Sequence, residues 1–197
     1  MPGPSIAIVL FPGVEELDWV GPWEVLAGWA RAWPGDEATV FTVADTDQVI
    51  TCANGARVLA DHTWDEIPSF DVQLWPGGPG VAALLGDEVV RARVRDAQGA
   101  GALLTSVCTG SLVLADAGAL DGRPAATYWS SFDHLVSLGT GIIARPDERF
   151  VDAGDVVTAA GVSAGIDMAL HLVGRFHSVD RARQVRRFIQ YDPAPPV

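Results

Sequence analysis

The sequence predicts an α/β fold, a three-layer α/β/α sandwich with helices on both faces of a mostly parallel sheet. Three observations predict it. Continuous apolar runs bounded by Pro and Gly recur along the chain, such as SIAIVLF at Ser5–Phe11 before Pro12-Gly13. Runs of that kind are strands buried on both faces. Segments of helical spacing alternate with them, which calls for crossover connections between parallel strands. One such strand, ALLTSV, passes at once into a helix through Cys108-Thr109-Gly110. That is the mechanical arrangement of a nucleophile elbow.

The elements follow in order. After the first strand, Pro22 stands at a good N1 position for a helix over Trp23–Trp33. Ala38–Ala44 reads as a second strand, and Val49–Ala60 as a short hairpin turning at Asn54-Gly55. Asp71–Trp75 is another buried strand, stopped by Pro76-Gly77-Gly78-Pro79-Gly80. Asp87–Gln98 is helical, with Asp87 and Glu88 at the end where the dipole favours acids. Ala102–Val107 is the strand before the cysteine, and Ser111–Ala117 the helix after it, closed by Gly118. Ser130–Leu138 reads as a helix capped by Ser130, with Asp133 at N3 approximating a capping box. Phe150–Ala160 forms a hairpin around Asp152-Ala153-Gly154, and Val162–His177 and Asp180–Tyr191 are two further helices. Ligands of such sheets sit beyond the carboxyl ends of the strands. Asp18, Gly77-Gly78 and Cys108 all follow strands at that end, so three loops are expected to converge there.

Composition bounds the function. The 197 residues are expected to form one domain, with no appended DNA-binding segment. The net charge is -12, from 13 basic and 25 acidic residues, which repels phosphate backbones and argues against a nucleic-acid partner. Arg181, Arg183, Arg186 and Arg187 are the local exception and read as a solvated helix face. No apolar run reaches the ~18 residues of a membrane span, and no signal-peptide pattern opens the chain. Two cysteines 56 positions apart do not resemble a secreted disulfide framework, so a cytoplasmic protein with reduced thiols is expected. The Pro-rich end, Asp192–Val197, reads as a tail. HxH and CxxC spacings are absent, as are GxGxxG and Walker loops, so neither metal nor nucleotide cofactor is expected.

The chemistry is expected at Cys108. Free helix N–H groups and the positive dipole end face a thiol in this position and favour thiolate. The alternative is a small apolar core residue, the usual state of a free cysteine. Cys52, in TCANGA, has no helix start beside it and reads as a half-buried strand residue. Asp18 reads equally as a helix N-cap, and Glu15 and Glu16 as parts of a solvated turn. Gly77-Gly78 is either a plain strand-ending turn or a cradle of N–H groups. His62, His134, His171 and His177 form no evident triad. Trp19, Trp23, Trp75 and Trp129 lie in or beside these segments and either line an apolar pocket or pack the core.

These segments resemble the ThiJ/PfpI superfamily of glutamine-amidotransferase-like proteins and, within it, the isonitrile hydratases. The resemblance is carried by FPGVEELDWVGPWEVLA (Phe11–Ala27), WPGGPGV (Trp75–Val81), TSVCTGSLVLADAGALDGRPAATYW (Thr105–Trp129), AGVSAGIDMAL (Ala160–Leu170) and YDPAPP (Tyr191–Pro196). It implies a flavodoxin-like fold and a homodimer without cofactor. It implies Cys108 as nucleophile, Asp18 as general acid/base, and Thr109 as the residue positioning substrate or water. Gly77, Gly78 and Pro79 would form the loop whose N–H groups face the reacting centre. Threonine after the nucleophile and aspartate in the first loop match isonitrile hydratases, whereas many superfamily members have histidine and glutamate there. Tyr128 departs from a common histidine, and Ala159 and Ala160 from common glycines, with expected consequences for pocket shape.

The implied activity is hydration of a small isonitrile to an N-substituted formamide. Cys108 attacks the terminal carbon, Asp18 protonates it, and the thioimidate is then hydrolysed by water activated by the same carboxylate. Three rivals stand beside it: another cysteine hydrolase or glyoxalase-like enzyme of the superfamily, a non-enzymatic redox sensor using Cys108, and the ligand-binding domain of a transcription regulator.

Overall fold

A computed structural model describes residues 3–193. The elements are β1 (Ser5–Val9), α1 (Glu16–Ala32), β2 (Thr39–Ala44), β3 (Ile50–Thr51), β4 (Arg57–Val58), β5 (His62–Thr63) and β6 (Val72–Trp75). There follow α2 (Glu88–Gly99), β7 (Leu103–Val107), α3 (Gly110–Asp116), β8 (Pro124–Ala125), α4 (Phe132–Leu138) and β9 (Ile143–Ala144). The last are β10 (Phe150–Asp152), β11 (Val156–Ala159), α5 (Ala164–Phe176) and α6 (Val179–Phe188), with single 3-10 turns at Pro34–Asp36 and Pro79–Ala83.

Seven strands form the main sheet in the order β10-β11-β7-β6-β1-β2-β5. All neighbours pair in parallel except β10 with β11, the hairpin expected around Gly154. Numbered along the chain, the long parallel strands β2-β1-β6-β7-β11 run 2-1-3-4-5, the flavodoxin-like doubly wound order expected from the resemblance. The central strands β6 and β7 are buried along their whole length, which is why their sequences are continuous apolar runs rather than alternating ones. α1, α5 and α6 pack on one another, while α2, α3 and α4 form a second group. The strand order reverses between β1 and β6, and a doubly wound sheet opens its crevice at that point. The β3–β4 hairpin forms as expected.

Two helix starts differ from the sequence reading. α1 begins at Glu16, six residues before Pro22, and carries that proline inside. Asp18 therefore lies in the first helical turn, not in a loop. Pro22 has no N–H for the carbonyl of Asp18, a loss tolerated only where tertiary packing offsets it. Here α1 and α5 approach through small residues: a Cβ on Gly165 would lie 3.1 Å from Pro22 Cγ, and one on Gly21 would lie 3.1 Å from Ile166 Cγ1. α4 starts at Phe132 with Ser131 as N-cap and no side-chain capping bond, so the expected Ser130–Asp133 box does not form. The Ser131 N–H instead closes a turn onto the Tyr128 carbonyl.

Arg181 also departs from expectation. Its guanidinium is paired with Asp36 at 2.6 Å and is largely covered, whereas Arg183 meets Asp180 on the surface as a solvated face requires. Residues 194–197 of the Pro-rich tail lie outside the described residues.

Candidate active site

The crevice between β1 and β6 gathers three segments: the first turn of α1, the β6 loop, and the β7–α3 turn. Cys108 occupies that turn with φ 58, a left-handed conformation that costs a non-glycine residue about 1–3 kcal/mol and needs support from its surroundings. The support is visible on both sides. The Cys108 N–H donates to the carbonyls of Ala160 (2.9 Å) and Ala159 (3.2 Å). Its carbonyl accepts from the hydroxyls of Ser111 (3.0 Å) and Thr127 (3.1 Å). Gly110 lets α3 begin against the sheet, since a Cβ there would lie 2.0 Å from the Trp75 carbonyl oxygen.

Asp18 is wholly buried beside this cysteine, and Cys108 itself is 6% exposed, so the thiol is nearly but not fully enclosed. Asp18 Oδ2 accepts the Gly77 N–H at 2.9 Å, whereas Oδ1 is buried without a hydrogen-bond partner. The carboxyl as a whole faces the Cys108 thiol and the Val162 N–H. Burial, reinforced by the charge of Glu15, pushes the Asp18 pKa up to about 7. The Cys108 thiol is pushed up to about 12, first by burial and then by the charge of Asp18, against the pull of the Thr109 and Val162 N–H groups. The expectation of a thiolate held simply by helix-end amides is thus corrected. Desolvation and a neighbouring carboxylate outweigh those amides, so the sulfur ionises most readily when the shared proton rests on Asp18.

The two loop glycines have different partners. The Gly77 N–H is bound by Asp18, and the Gly78 N–H donates to Thr109 Oγ1 at 3.0 Å. The Gly77 amide thus faces the Asp18 carboxyl directly, while the Gly78 amide braces Thr109. A Cβ on Gly77 would lie 2.6 Å from the Thr109 nitrogen and 2.8 Å from Asp18 Oδ2, so only glycine fits there. Pro79 carries no N–H and is exposed at the start of a 3-10 turn. Thr109 is the N-cap residue of α3, and its hydroxyl keeps its own proton to donate.

The sequence reading missed Val162. This β-branched residue has φ 49, a genuine outlier, and its N–H lies close enough to both members of the pair to favour their charged forms. AGVSAG marks the segment, but no side-chain pattern signals a strained amide.

The remaining candidates lie apart from the pair. Glu16 binds the Asn54 and Ala56 N–H groups, and Glu15 the Asn54 side-chain amide, so both tether the β3–β4 hairpin. His171 pairs with Asp152, His177 with Asp36, and His62 lies edge-on to Phe41. Trp75 is in the core with its Nε1 on Gln73 Oε1, whereas Trp129 is 76% exposed, so the tryptophans do not line one pocket. Cys52 is buried. Among the described residues no cluster of three His, Cys, Asp or Glu is placed to hold a metal.

The sequence model of the DJ-1/PfpI family matches residues 4–175. The chain belongs to the DJ-1/PfpI family. It is 37% identical over 192 residues to an isonitrile hydratase of Pseudomonas putida, covering 98% of this chain and 80% of that protein. It is 25% identical to the Drosophila melanogaster protein dj-1beta, covering 93% of this chain and 95% of that one. Among solved structures, a ThiJ/PfpI family protein from Pseudomonas syringae superposes with a TM-score of 0.88 at 32% identity, over 100% of this chain and 78% of that one. The DJ-1/PfpI fold thus holds a strained cysteine with a buried aspartate beside it.

Proposed function

We propose that this chain is an isonitrile hydratase, a hydro-lyase that converts a small isonitrile and water into an N-substituted formamide. The observation that carries the reading is the buried Asp18–Cys108 pair, in which one carboxyl titrating near 7 can give and take a proton during turnover. The 37% identity to an isonitrile hydratase supports the choice of substrate.

With the shared proton on Asp18, the Cys108 sulfur attacks the terminal isonitrile carbon, and Asp18 delivers its proton to that carbon. The product is a thioimidate on Cys108, with Asp18 ionised. Water then adds across the C=N bond: its oxygen joins the carbon while its proton passes through Asp18 to the nitrogen. Collapse of the tetrahedral adduct expels the sulfur, forms the formamide carbonyl, and returns the hydroxyl proton to Asp18. The Thr109 and Val162 N–H groups support the sulfur's charge, and the Thr109 hydroxyl orients the water. The Gly77-Gly78-Pro79 loop holds Asp18 and Thr109 in place. The near-complete burial of Cys108 disfavours the sensor alternative, because oxidation also follows exposure. The reading takes the enzyme to be a cytoplasmic homodimer, by analogy with its family. Among the described residues no helix is long and apolar enough to cross a membrane, and neither cysteine is in a disulfide.

The test is formamide production from cyclohexyl isonitrile, with methylglyoxal and simple amides assayed in parallel. Turnover of the isonitrile, lost in Cys108→Ala, is the expected result. Formamide formation that survives Cys108→Ala rules out covalent catalysis, and turnover of methylglyoxal alone reassigns the substrate.

A further inference from the structure

The left-handed Val162 must be held in place by something, and its two flanks are held differently. On the C-terminal side, turn bonds from Ala164 to the Gly161 carbonyl (3.1 Å) and from Gly165 to the Val162 carbonyl (3.3 Å) lead into α5. On the N-terminal side is Gly161, and what covers it is an aromatic ring. A Cβ on Gly161 would lie 2.5 Å from Tyr128 Cδ2 and 3.1 Å from Cε2, so the ring sits flush on the glycine backbone.

The segment that carries this ring is itself pinned to the site. The Ala126 N–H donates to Thr158 Oγ1 on β11 at 2.8 Å, and the Thr127 hydroxyl donates to the Cys108 carbonyl at 3.1 Å. The Tyr128 carbonyl accepts the Ser131 N–H at 2.8 Å, and its ring leans on Trp129 with centroids 5.7 Å apart. Three consecutive residues therefore join β11, the elbow and the Gly161–Val162 peptide.

We propose that Tyr128 is a positioning residue: its ring clamps Gly161, and the clamp keeps the Val162 N–H aimed at Cys108 and Asp18. The phenolic oxygen has no part in this, so the ring is what matters. The proposal deepens the function above and rests on its Cys108–Asp18 pair. Alkylation of Cys108, which requires no isonitrile, keeps failure of the clamp distinct from failure of the substrate assignment.

The experiment follows the rate of iodoacetamide alkylation at Cys108 by peptide mass spectrometry in the full chain, from pH 5.5 to 9. The wild-type rate is expected to rise with an inflection near 7, as the pair loses its first proton. Tyr128→Ala frees the peptide and weakens one amide donor to the anion, moving the inflection up by about one pH unit and slowing alkylation at pH 6.5 up to about tenfold. Tyr128→Phe keeps the ring and restores the wild-type profile. A Tyr128→Ala profile that coincides with the wild type overturns the proposal. So does a Tyr128→Phe profile displaced as far as that of Tyr128→Ala, because the hydroxyl would then be the active part. If Tyr128→Ala does not fold, Gly161→Ala tests the same contact from the other side. An upward shift supports the clamp, and an unshifted profile overturns it.

Discussion

Asp18 and Asp36 stand at opposite ends of α1, and their environments push them in opposite directions. Burial raises both. At Asp36 it is overcome by hydrogen bonds from Trp29 Nε1 (2.6 Å) and Arg181 Nε (2.6 Å) and by the charges of Arg181 and His177, so the carboxyl stays below its usual range. At Asp18 two backbone amides and a thiol replace two ring systems and a guanidinium, and desolvation prevails. Burial alone does not decide what an aspartate does. A cation within reach makes a structural anchor, and without one the carboxyl holds its proton up to near-neutral pH, as the proposed mechanism requires.

The largest expected effect tests that contrast at Asp18. Asp18→Asn should lower formamide turnover by roughly 10²–10⁴-fold, the usual worth of one proton-transfer group. The same change should stabilise the fold at pH 8. A rise from 3.8 to about 7 corresponds to roughly 4 kcal/mol of penalty for holding the charged form. The sign follows from proton uptake. The folded chain binds the Asp18 proton more tightly than the unfolded chain, so the penalty is absent below about 3.8, grows between there and about 7, and is constant above. Denaturant melts of both proteins from pH 4 to 8 should diverge across that window, and parallel curves would refute the buried-acid account.

Asp36→Asn should do the reverse. Losing the charged partner of Arg181 should cost about 1–3 kcal/mol near neutral pH, with turnover unchanged. Because the Asp36 pKa is depressed, its stabilisation is complete above the unfolded value of 3.8 and is lost as pH falls through the folded value, so the variant's deficit should shrink in acid. Gly77→Ala forces a methyl between Thr109 and Asp18 and should cost about 1–3 kcal/mol together with most of the turnover. At the small end, Arg183→Ala removes a solvated i,i+3 pair with Asp180 and should leave the melting temperature unmoved, in contrast to Arg181→Ala.

Much of the architecture was legible because burial on both faces writes itself into strand composition. SIAIVLF, DVQLW and ALLTSV announce β1, β6 and β7, and the glycine two residues after Cys108 announces a helix beginning close to the sheet. The start of α1 was not legible, because the local rule that puts proline at the first turn was overridden by the packing of Pro22 against Gly165 on a helix nearly 150 residues away. The same distance hides the partner of Arg181, which reads as one more surface charge until α6 meets the end of α1.

The sequence by itself determined the alternation of strands and helices, the turn that places one sulfur at a strand end, and the acidic balance that disfavours nucleic acid. Those properties depend on neighbours along the chain or on simple sums. Only the tertiary structure decided that Asp18 is buried beside that sulfur, that one loop amide holds Asp18 and the other Thr109, and that the strained Val162 amide lies close to both members of the pair. A proton's affinity and an amide's direction are set by groups brought together from distant segments, and no local pattern of residues encodes them.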